Sequence, residues 1–163
     1  MIGTHNSATY KTSILAAQTQ QLNITEQSKA GVRVFDLRVR SIENVFAMHY
    51  DLVYLGMMFG DIVNQVIEYL REYPFEFVIM FMQKEYVSEA NTMTEFEILE
   101  NKYIKLRDNL IVQFCSVDGI IQKDRGKILW VRGNKGFGKC AATLACDQQN
   151  LWKVSPTSTR DDK

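Results

Sequence analysis

The sequence predicts an α/β fold in which buried strands of a parallel sheet alternate with helices. Residues 76–82 (EFVIMFM) and 127–132 (KILWVR) are largely continuous apolar runs. Such runs are typical of strands that are covered on both faces, as in parallel sheets. Residues 59–72 instead repeat apolar side chains at helical spacing. Because strands and helices alternate along the chain, we expect a parallel sheet flanked by helices.

The strand at residues 31–40 (GVRVFDLRVR) is expected to lie at the centre of this sheet. Side chains alternate between the two faces of a strand, so Asp36 and Arg38 share one face with Val34 and Arg40. The other face carries Phe35, Leu37 and Val39. Since the flanking segments are also apolar, Asp36 and Arg38 are expected to point into an enclosed space. Buried charges are tolerated only when they are paired or used, which makes this face a candidate site.

The remaining elements are arranged around this strand. A short helix is predicted at 24–30, with Asn23 as its cap and Gly31 where it stops. A second short strand is predicted at 45–49, and the helix at 59–72 ends before Pro74. A capping box at Thr94 opens a long helix, whose expected apolar stripe is Phe96, Leu99, Tyr103, Leu106 and Leu110.

Length, composition and charge give no support for several classes of function. The 163 residues, 46% of them apolar, predict one domain with a real core. The net charge of zero gives no reason to expect a nucleic-acid partner. No apolar run reaches the roughly 18 residues of a membrane span, and the N-terminus has no visible signal peptide. Contact with a membrane surface stays open, because an interfacial enzyme need not be basic.

Polar residues fall at the end of each predicted strand. In parallel α/β sheets the chemistry lies at the carboxyl ends of the strands, so these residues are expected on one rim. They are His5, Asp36 with Arg38, His49, Gln83 with Lys84, and Arg132. Gln83 is preferred over Lys84, because it lies on the same face of its strand as Phe77, Ile79 and Phe81.

Two histidines beside an Asp–Arg pair indicate phosphate chemistry. Histidine titrates near neutral pH, so one can act as a general base while the other acts as a general acid. Arg38 would offset the charge that builds on phosphate oxygens, and Asp36 would hold Arg38 or the attacking hydroxyl. Taken alone, His5 is better explained as a turn residue and His49 as a packed strand end. Together, around the Asp36–Arg38 strand, they favour cleavage of a phosphodiester.

Four segments resemble the X domain of phosphatidylinositol-specific phospholipases C. They are IGTHNSATY at 2–10, EQSKAGVRVFDLRVR at 26–40, YLGMMFGDIVNQVIEYL after His49, and YPFEFVIMFMQKEY at 73–86. RGKILWVR at 125–132 also fits. The resemblance implies an incomplete (β/α)₈ barrel (TIM barrel) with about the first five strands. It also implies attack by the inositol 2-hydroxyl on the lipid phosphate, which gives diacylglycerol and a cyclic inositol phosphate.

Site roles follow from the resemblance, motif by motif. It implies that His5 is the general base, His49 the general acid, Arg38 a phosphate contact, and Asp36 a support for the hydroxyl and the arginine. It implies substrate contacts for a further set: Asn6, Gln83, Lys84, Arg132, Asn150 and Trp152. Tyr50 departs from the family pattern, which usually has glycine after the second histidine.

The resemblance also bears on metal use. Calcium-dependent members carry acidic residues at both positions that correspond to Asp36 and Arg38. Metal-free, bacterial-type members carry an arginine whose guanidinium takes the place of the cation. Arg38 therefore predicts a site without calcium, and no cofactor is expected. Asn6 keeps the calcium alternative open, because calcium-dependent members use asparagine there as a ligand.

The length limits these expectations. A full barrel takes about 250 residues, so residues 1–163 are expected to form a partial X domain with a loose polar tail at about 155–163. Such a chain would be unstable alone or need a missing C-terminal half-barrel as its partner. The predicted activity is cleavage of phosphatidylinositol or glycosylphosphatidylinositol at a membrane surface. The alternative is an inactive lipid-binding or scaffold protein of the same fold.

A glycine-rich tract at 133–140 (GNKGFGKC) supports a different hypothesis, that of a nucleotide-binding loop. The loop pattern needs a hydroxyl after the lysine to hold magnesium, and Cys140 stands at that position. We therefore favour a loop over the mouth of the barrel.

Overall fold

The computed structural model describes residues 1–107, 110–113 and 124–132. In this part of the chain the helices are α1 (Ile24–Lys29), α2 (Phe59–Glu72) and α3 (Glu95–Leu99). The strands are β1 (Ile2–Thr4), β2 (Val32–Ile42), β3 (Val45–Tyr50), β4 (Val53–Met58), β5 (Val78–Lys84), β6 (Ile111–Gln113) and β7 (Ile128–Arg132). They form one sheet in the order β4-β3-β2-β5-β7-β6, with β1 also paired to β2.

Strand β2 is the centre of the sheet, as the sequence predicts. It pairs in parallel with β1 and β5, and the register sets Asp36 beside Phe81 and Arg38 beside Gln83. The apolar face of β2 packs into the main core with α2; there Phe35 and Leu37 are fully buried. The opposite face meets a smaller apolar cluster of β5 and β7. That second face carries Asp36 and Arg38, so the predicted alternation is confirmed.

The expected parallel sheet is corrected at β3 and β4. Strand β3 returns antiparallel to β2, and β4 is antiparallel to β3. Glu43 and Asn44, which join β2 to β3, have φ angles of 51° and 59°. Positive φ at both central residues is what a tight hairpin turn requires. The Asn44 carboxamide, which accepts from the backbone of Thr92 and Met93, fixes this turn.

The second half of the predicted long helix is also corrected. The regular α-helix stops at Leu99, where a π-turn (Glu100–Ile104) and a 3₁₀ turn (Lys105–Arg107) take over. A π-turn inserts extra backbone per turn and rotates the following side chains off the stripe. Leu106 is 70% exposed as a result, whereas Leu99 is fully buried.

The sheet does not close on itself within the described residues, because β4 and β6 end the strand path. Parallel strands with helices packed on one face make this an incomplete (β/α)₈ barrel, as expected. No helix in the described ranges is long and apolar enough to cross a membrane.

Candidate active site

The carboxylate of Asp36 accepts hydrogen bonds from several of the predicted site residues. It is 8% exposed. Its Oδ2 accepts from His5 Nδ1 at 2.8 Å and from the backbone N–H of Asn6 at 3.2 Å. Its Oδ1 accepts from Gln83 Nε2 at 2.9 Å. Arg38 Nε lies 3.6 Å from Oδ2, so four predicted site residues converge on Asp36.

The contact with Asp36 orients the His5 ring. With the proton on Nδ1 donated to Asp36, the Nε2 lone pair is the ring's acceptor, and the Asn6 side-chain amide lies 3.0 Å from it. The His5 side chain is 39% exposed. The ring is therefore oriented by a buried carboxylate on one side, and the Asn6 amide occupies its Nε2 on the other.

Two glutamines that the sequence analysis did not single out hold the loop carrying His5. Gln20 Nε2 donates to the His5 carbonyl at 2.8 Å. The buried Gln27 amide donates to the Ser7 carbonyl at 2.9 Å, and its oxygen accepts from Thr4 Oγ1 at 2.7 Å. The loop is further tied to β2, because the Ser7 N–H donates to the Asp36 carbonyl. The Gln-rich composition of this region was the only signal in the sequence.

Arg38 is shared between two carboxylates. Its Nη1 donates to Glu85 Oε2 at 3.2 Å, on the side away from the 3.6 Å approach to Asp36. Glu85 was also missed in the sequence analysis. It follows β5 directly and has the parity of Gln83, which is the signal that could have indicated it.

His49 reaches the site through the hairpin and not through a parallel strand end. Met48 pairs with Val39, so the next residue of β3 falls beside Arg38 on the site face. His49 is 4% exposed, and its ring centroid is 5.8 Å from that of Tyr54. Burial lowers the pKa of His49 below its ordinary value; the Arg40 charge adds to this effect and the Glu85 charge opposes it.

Three polar atoms of the site are buried without a hydrogen-bond partner. They are Asn6 Oδ1, Arg38 Nε and His49 Nδ1, and the described residues contain only one other such atom, Trp130 Nε1. Buried polar groups in proteins are nearly always paired, and each exception calls for an explanation. Here three of the four exceptions belong to predicted site residues, and they include both donors and acceptors, as a site for a polar ligand would.

The other predicted contacts divide into two groups. Gln83 lies in the cluster on Asp36, whereas Lys84 alternates to the other face of β5 and pairs with Glu95 at 2.7 Å. The structure therefore does not bring Lys84 to the site. Arg132 ends β7 beside Met82, and only its backbone is described. Asn150, Trp152, the glycine-rich tract at 133–140 and the tail at 155–163 lie outside the described residues.

The question of a metal rests on the same side chains. Across the described ranges, no group of three or more His, Cys, Asp and Glu side chains is arranged to hold a metal ion. Asp36 and Glu85 both approach the Arg38 guanidinium, which already supplies a positive charge between them. A metal-independent site remains a prediction.

Comparison with known proteins identifies relatives. No model of a known protein family matches the chain. A 1-phosphatidylinositol phosphodiesterase of Staphylococcus aureus is 32% identical over 117 residues, which are 69% of this chain and 38% of that protein. One from Listeria monocytogenes is 25% identical over 107 residues, covering 62% of this chain and 33% of that protein.

Solved structures give the same result. A structure of the S. aureus phosphatidylinositol-specific phospholipase C, from work on its membrane binding, matches with a TM-score of 0.75 and 29% identity, over 85% of this chain and 47% of that one. The L. monocytogenes enzyme shares the fold at a TM-score of 0.63 and 22% identity, over 81% of this chain and 50% of that one. The chain thus spans about half the length of these solved relatives or less. Over the part that it shares with them, the chain is related in sequence and fold to the bacterial phosphatidylinositol-specific phospholipases C.

Proposed function

We propose that the chain is a phosphodiesterase that cleaves phosphatidylinositol or glycosylphosphatidylinositol to diacylglycerol and a cyclic inositol phosphate. The observation that carries this proposal is the group of unpartnered buried atoms on Asn6, Arg38 and His49. A phosphodiester flanked by hydroxyls offers acceptors for Arg38 and both donors and acceptors for the other two. The relatives named above carry the corresponding activity in their names.

The geometry supports a division of labour between the histidines. Asp36 holds the His5 ring so that Nε2 can take the proton of an attacking hydroxyl, which would replace the Asn6 amide at this nitrogen. The oxygen then attacks phosphorus, the bond to the diacylglycerol oxygen breaks, and that oxygen takes a proton from His49. Arg38 offsets the charge that develops on the phosphate oxygens. Because its lowered pKa leaves His49 largely neutral at pH 7, the bound phosphate must first favour its protonation.

Exposed apolar side chains support action at a membrane surface. Leu52 and Tyr54, which follow His49, are 61% and 51% exposed, and Tyr86 and Val87, which follow Glu85, are 49% and 62% exposed. A hydrogen bond of 2.9 Å from the Asp51 N–H to Glu85 Oε1 joins the two segments. Apolar side chains grouped beside a polar site are suited to dipping into a lipid interface.

The test is release of cyclic inositol phosphate from phosphatidylinositol vesicles. We expect His5→Ala and His49→Ala each to reduce release by about 100-fold or more, as for the loss of a general acid or base. Glu68→Ala, an exposed change on α2, should leave release unchanged. Release that survives both histidine changes would refute the mechanism, and release abolished by a calcium chelator would overturn the role given to Arg38.

A second candidate is a lipid-binding protein of the same fold without turnover. The observation that favours it is His49, which is nearly fully buried, so that burial disfavours the protonated form that a general acid needs. Vesicle binding that depends on Arg38 but yields no cyclic product would support this candidate. Vesicle binding accompanied by histidine-dependent release would exclude it.

A further inference from the structure

Glu85 joins three parts of the site through one side chain. Its Oε2 accepts from Arg38 Nη1 at 3.2 Å, and its Oε1 accepts from the Asp51 N–H at 2.9 Å. Its own N–H donates to the Val39 carbonyl at 2.8 Å. The carboxylate is only 16% exposed. It is thus held in place by the turn after His49 and by the central strand, and it faces the guanidinium that the phosphate would use.

The consequence is a site with more negative than positive fixed charge. Asp36 and Glu85 each contribute one negative charge, and both approach the single positive charge of Arg38. Counted over Asp36, Glu85 and Arg38, the cluster carries one net negative charge. A phosphodiester brings one negative charge, whereas a phosphomonoester brings nearly two once the pH is above its second pKa of about 6. Each added charge meets the same carboxylates, so a dianion is repelled about twice as strongly.

We propose that Glu85 determines specificity by excluding phosphomonoester dianions from Arg38 while it tolerates phosphodiester monoanions. This inference rests on the proposed function, since it assigns phosphate binding to Arg38. It explains why a second carboxylate lies on an arginine that Asp36 already approaches. It also gives the site a means of rejecting abundant phosphomonoesters that resemble half of its substrate.

A neighbouring ion pair provides a matched control. Arg40 pairs with Glu89 and lies over the ring of Tyr86, two residues further along the same face of β2. The Glu89 carboxylate is 57% exposed, in contrast to 16% for Glu85. Exposed ion pairs are screened by water and salt, so removing the Glu89 charge should have little effect at Arg38.

The experiment compares dimethyl phosphate with methyl phosphate at pH 8, using the imidazole NMR signals of His5 and His49 to measure affinity. Glu85→Gln retains an oxygen for the Asp51 N–H and removes the charge. We expect it to raise dimethyl phosphate affinity about threefold and methyl phosphate affinity about tenfold, since the dianion loses twice the repulsion. Glu85→Asp should preserve the discrimination, and at pH 5, where methyl phosphate is a monoanion, the two ligands should respond alike.

Several outcomes would overturn the proposal. Equal gains for the two ligands in Glu85→Gln at pH 8 would show that the carboxylate only competes for Arg38. An equal change in the ratio for Glu89→Gln would show a general charge effect. Because neither ligand contains inositol and neither measurement needs turnover, failure of the phospholipase activity would leave this result intact.

Discussion

Replacing Asp36 by asparagine tests whether the Asp36 carboxylate stabilises the site and sets the tautomer of His5. Asp36 accepts from His5, Gln83 and the backbone of Asn6. Asparagine has the same shape, but its carboxamide has one acceptor oxygen and an NH₂ group that must face a former donor. Bonds to a charged partner contribute about 1.5–3 kcal/mol, and an unsatisfied buried donor costs about 1–3 kcal/mol. We therefore expect Asp36→Asn to lower the free energy of unfolding by about 2–4 kcal/mol.

The same change alters the protonation of His5. If the asparagine NH₂ faces His5, the ring gives up its Nδ1 proton and carries it on Nε2, where it cannot accept a proton from a hydroxyl. We expect cleavage to fall by about 10²- to 10⁴-fold, the usual contribution of a general base. Urea unfolding gives the stability, and imidazole ¹⁵N shifts give the tautomer.

A remote substitution supplies the control for Asp36→Asn. Glu72→Gln removes a carboxylate from an exposed ion pair with Lys29 and should cost less than about 1 kcal/mol. Our reasoning would be refuted by an Asp36→Asn protein with unchanged stability and His5 still protonated on Nδ1.

Three further predictions concern the surroundings of the site. Folding lowers the pKa of His49, so the contribution of His49 to the free energy of unfolding is complete above the ordinary histidine pKa of about 6.5 and is lost as the pH falls toward the lowered value. The urea midpoint of the parent should therefore drop between pH 7.5 and 5.5, and His49→Phe should reduce that drop. An unchanged drop would contradict this reasoning. Gln27→Leu removes the hydrogen-bond donor of two loop carbonyls and should lower the free energy of unfolding by about 2–3 kcal/mol. The backbone amides of His5 and Ser7 should then exchange faster with solvent, and exchange as slow as in the parent would contradict this prediction. Leu99→Ala should cost about 2–5 kcal/mol in unfolding free energy, whereas Leu106→Ala should cost under about 0.5 kcal/mol; similar costs would restore the continuous helix that the sequence predicted.

The elements that the sequence predicted well share a strong periodic signal. The helix at Phe59–Glu72 matches the predicted bounds, because its apolar residues keep one face over several turns. The alternation in β2 and the apolar runs of β5 and β7 likewise follow from burial alone. These patterns are local, and the core confirms them.

The elements that were missed depend on contacts with distant residues. Strand β4 contains Gly56 at φ 71°, and its pairing with β3 has a register shift. These irregularities hide the alternation of apolar and polar side chains that would reveal a strand in the sequence. The turn at Glu43–Asn44 lacks glycine and is held by Asn91 and its neighbours from another loop. The π-turn after Leu99 has no sequence signature that propensity alone would detect. At the turn, hydrogen bonds from a distant loop outweighed the local pattern.

The candidate site divides in the same way. The sequence by itself determined that Asp36 and Arg38 share a face and that Gln83 has the parity to join them, because strand geometry fixes alternation wherever the strand lies. Only the tertiary structure decided that an antiparallel hairpin brings His49 beside Arg38. It also decided that Gln20 and Gln27 hold the His5 loop, and that Glu85 accepts a hydrogen bond from the Arg38 guanidinium. Those placements arise from residues up to 47 positions apart in the chain, where no local pattern can encode which side chains will meet.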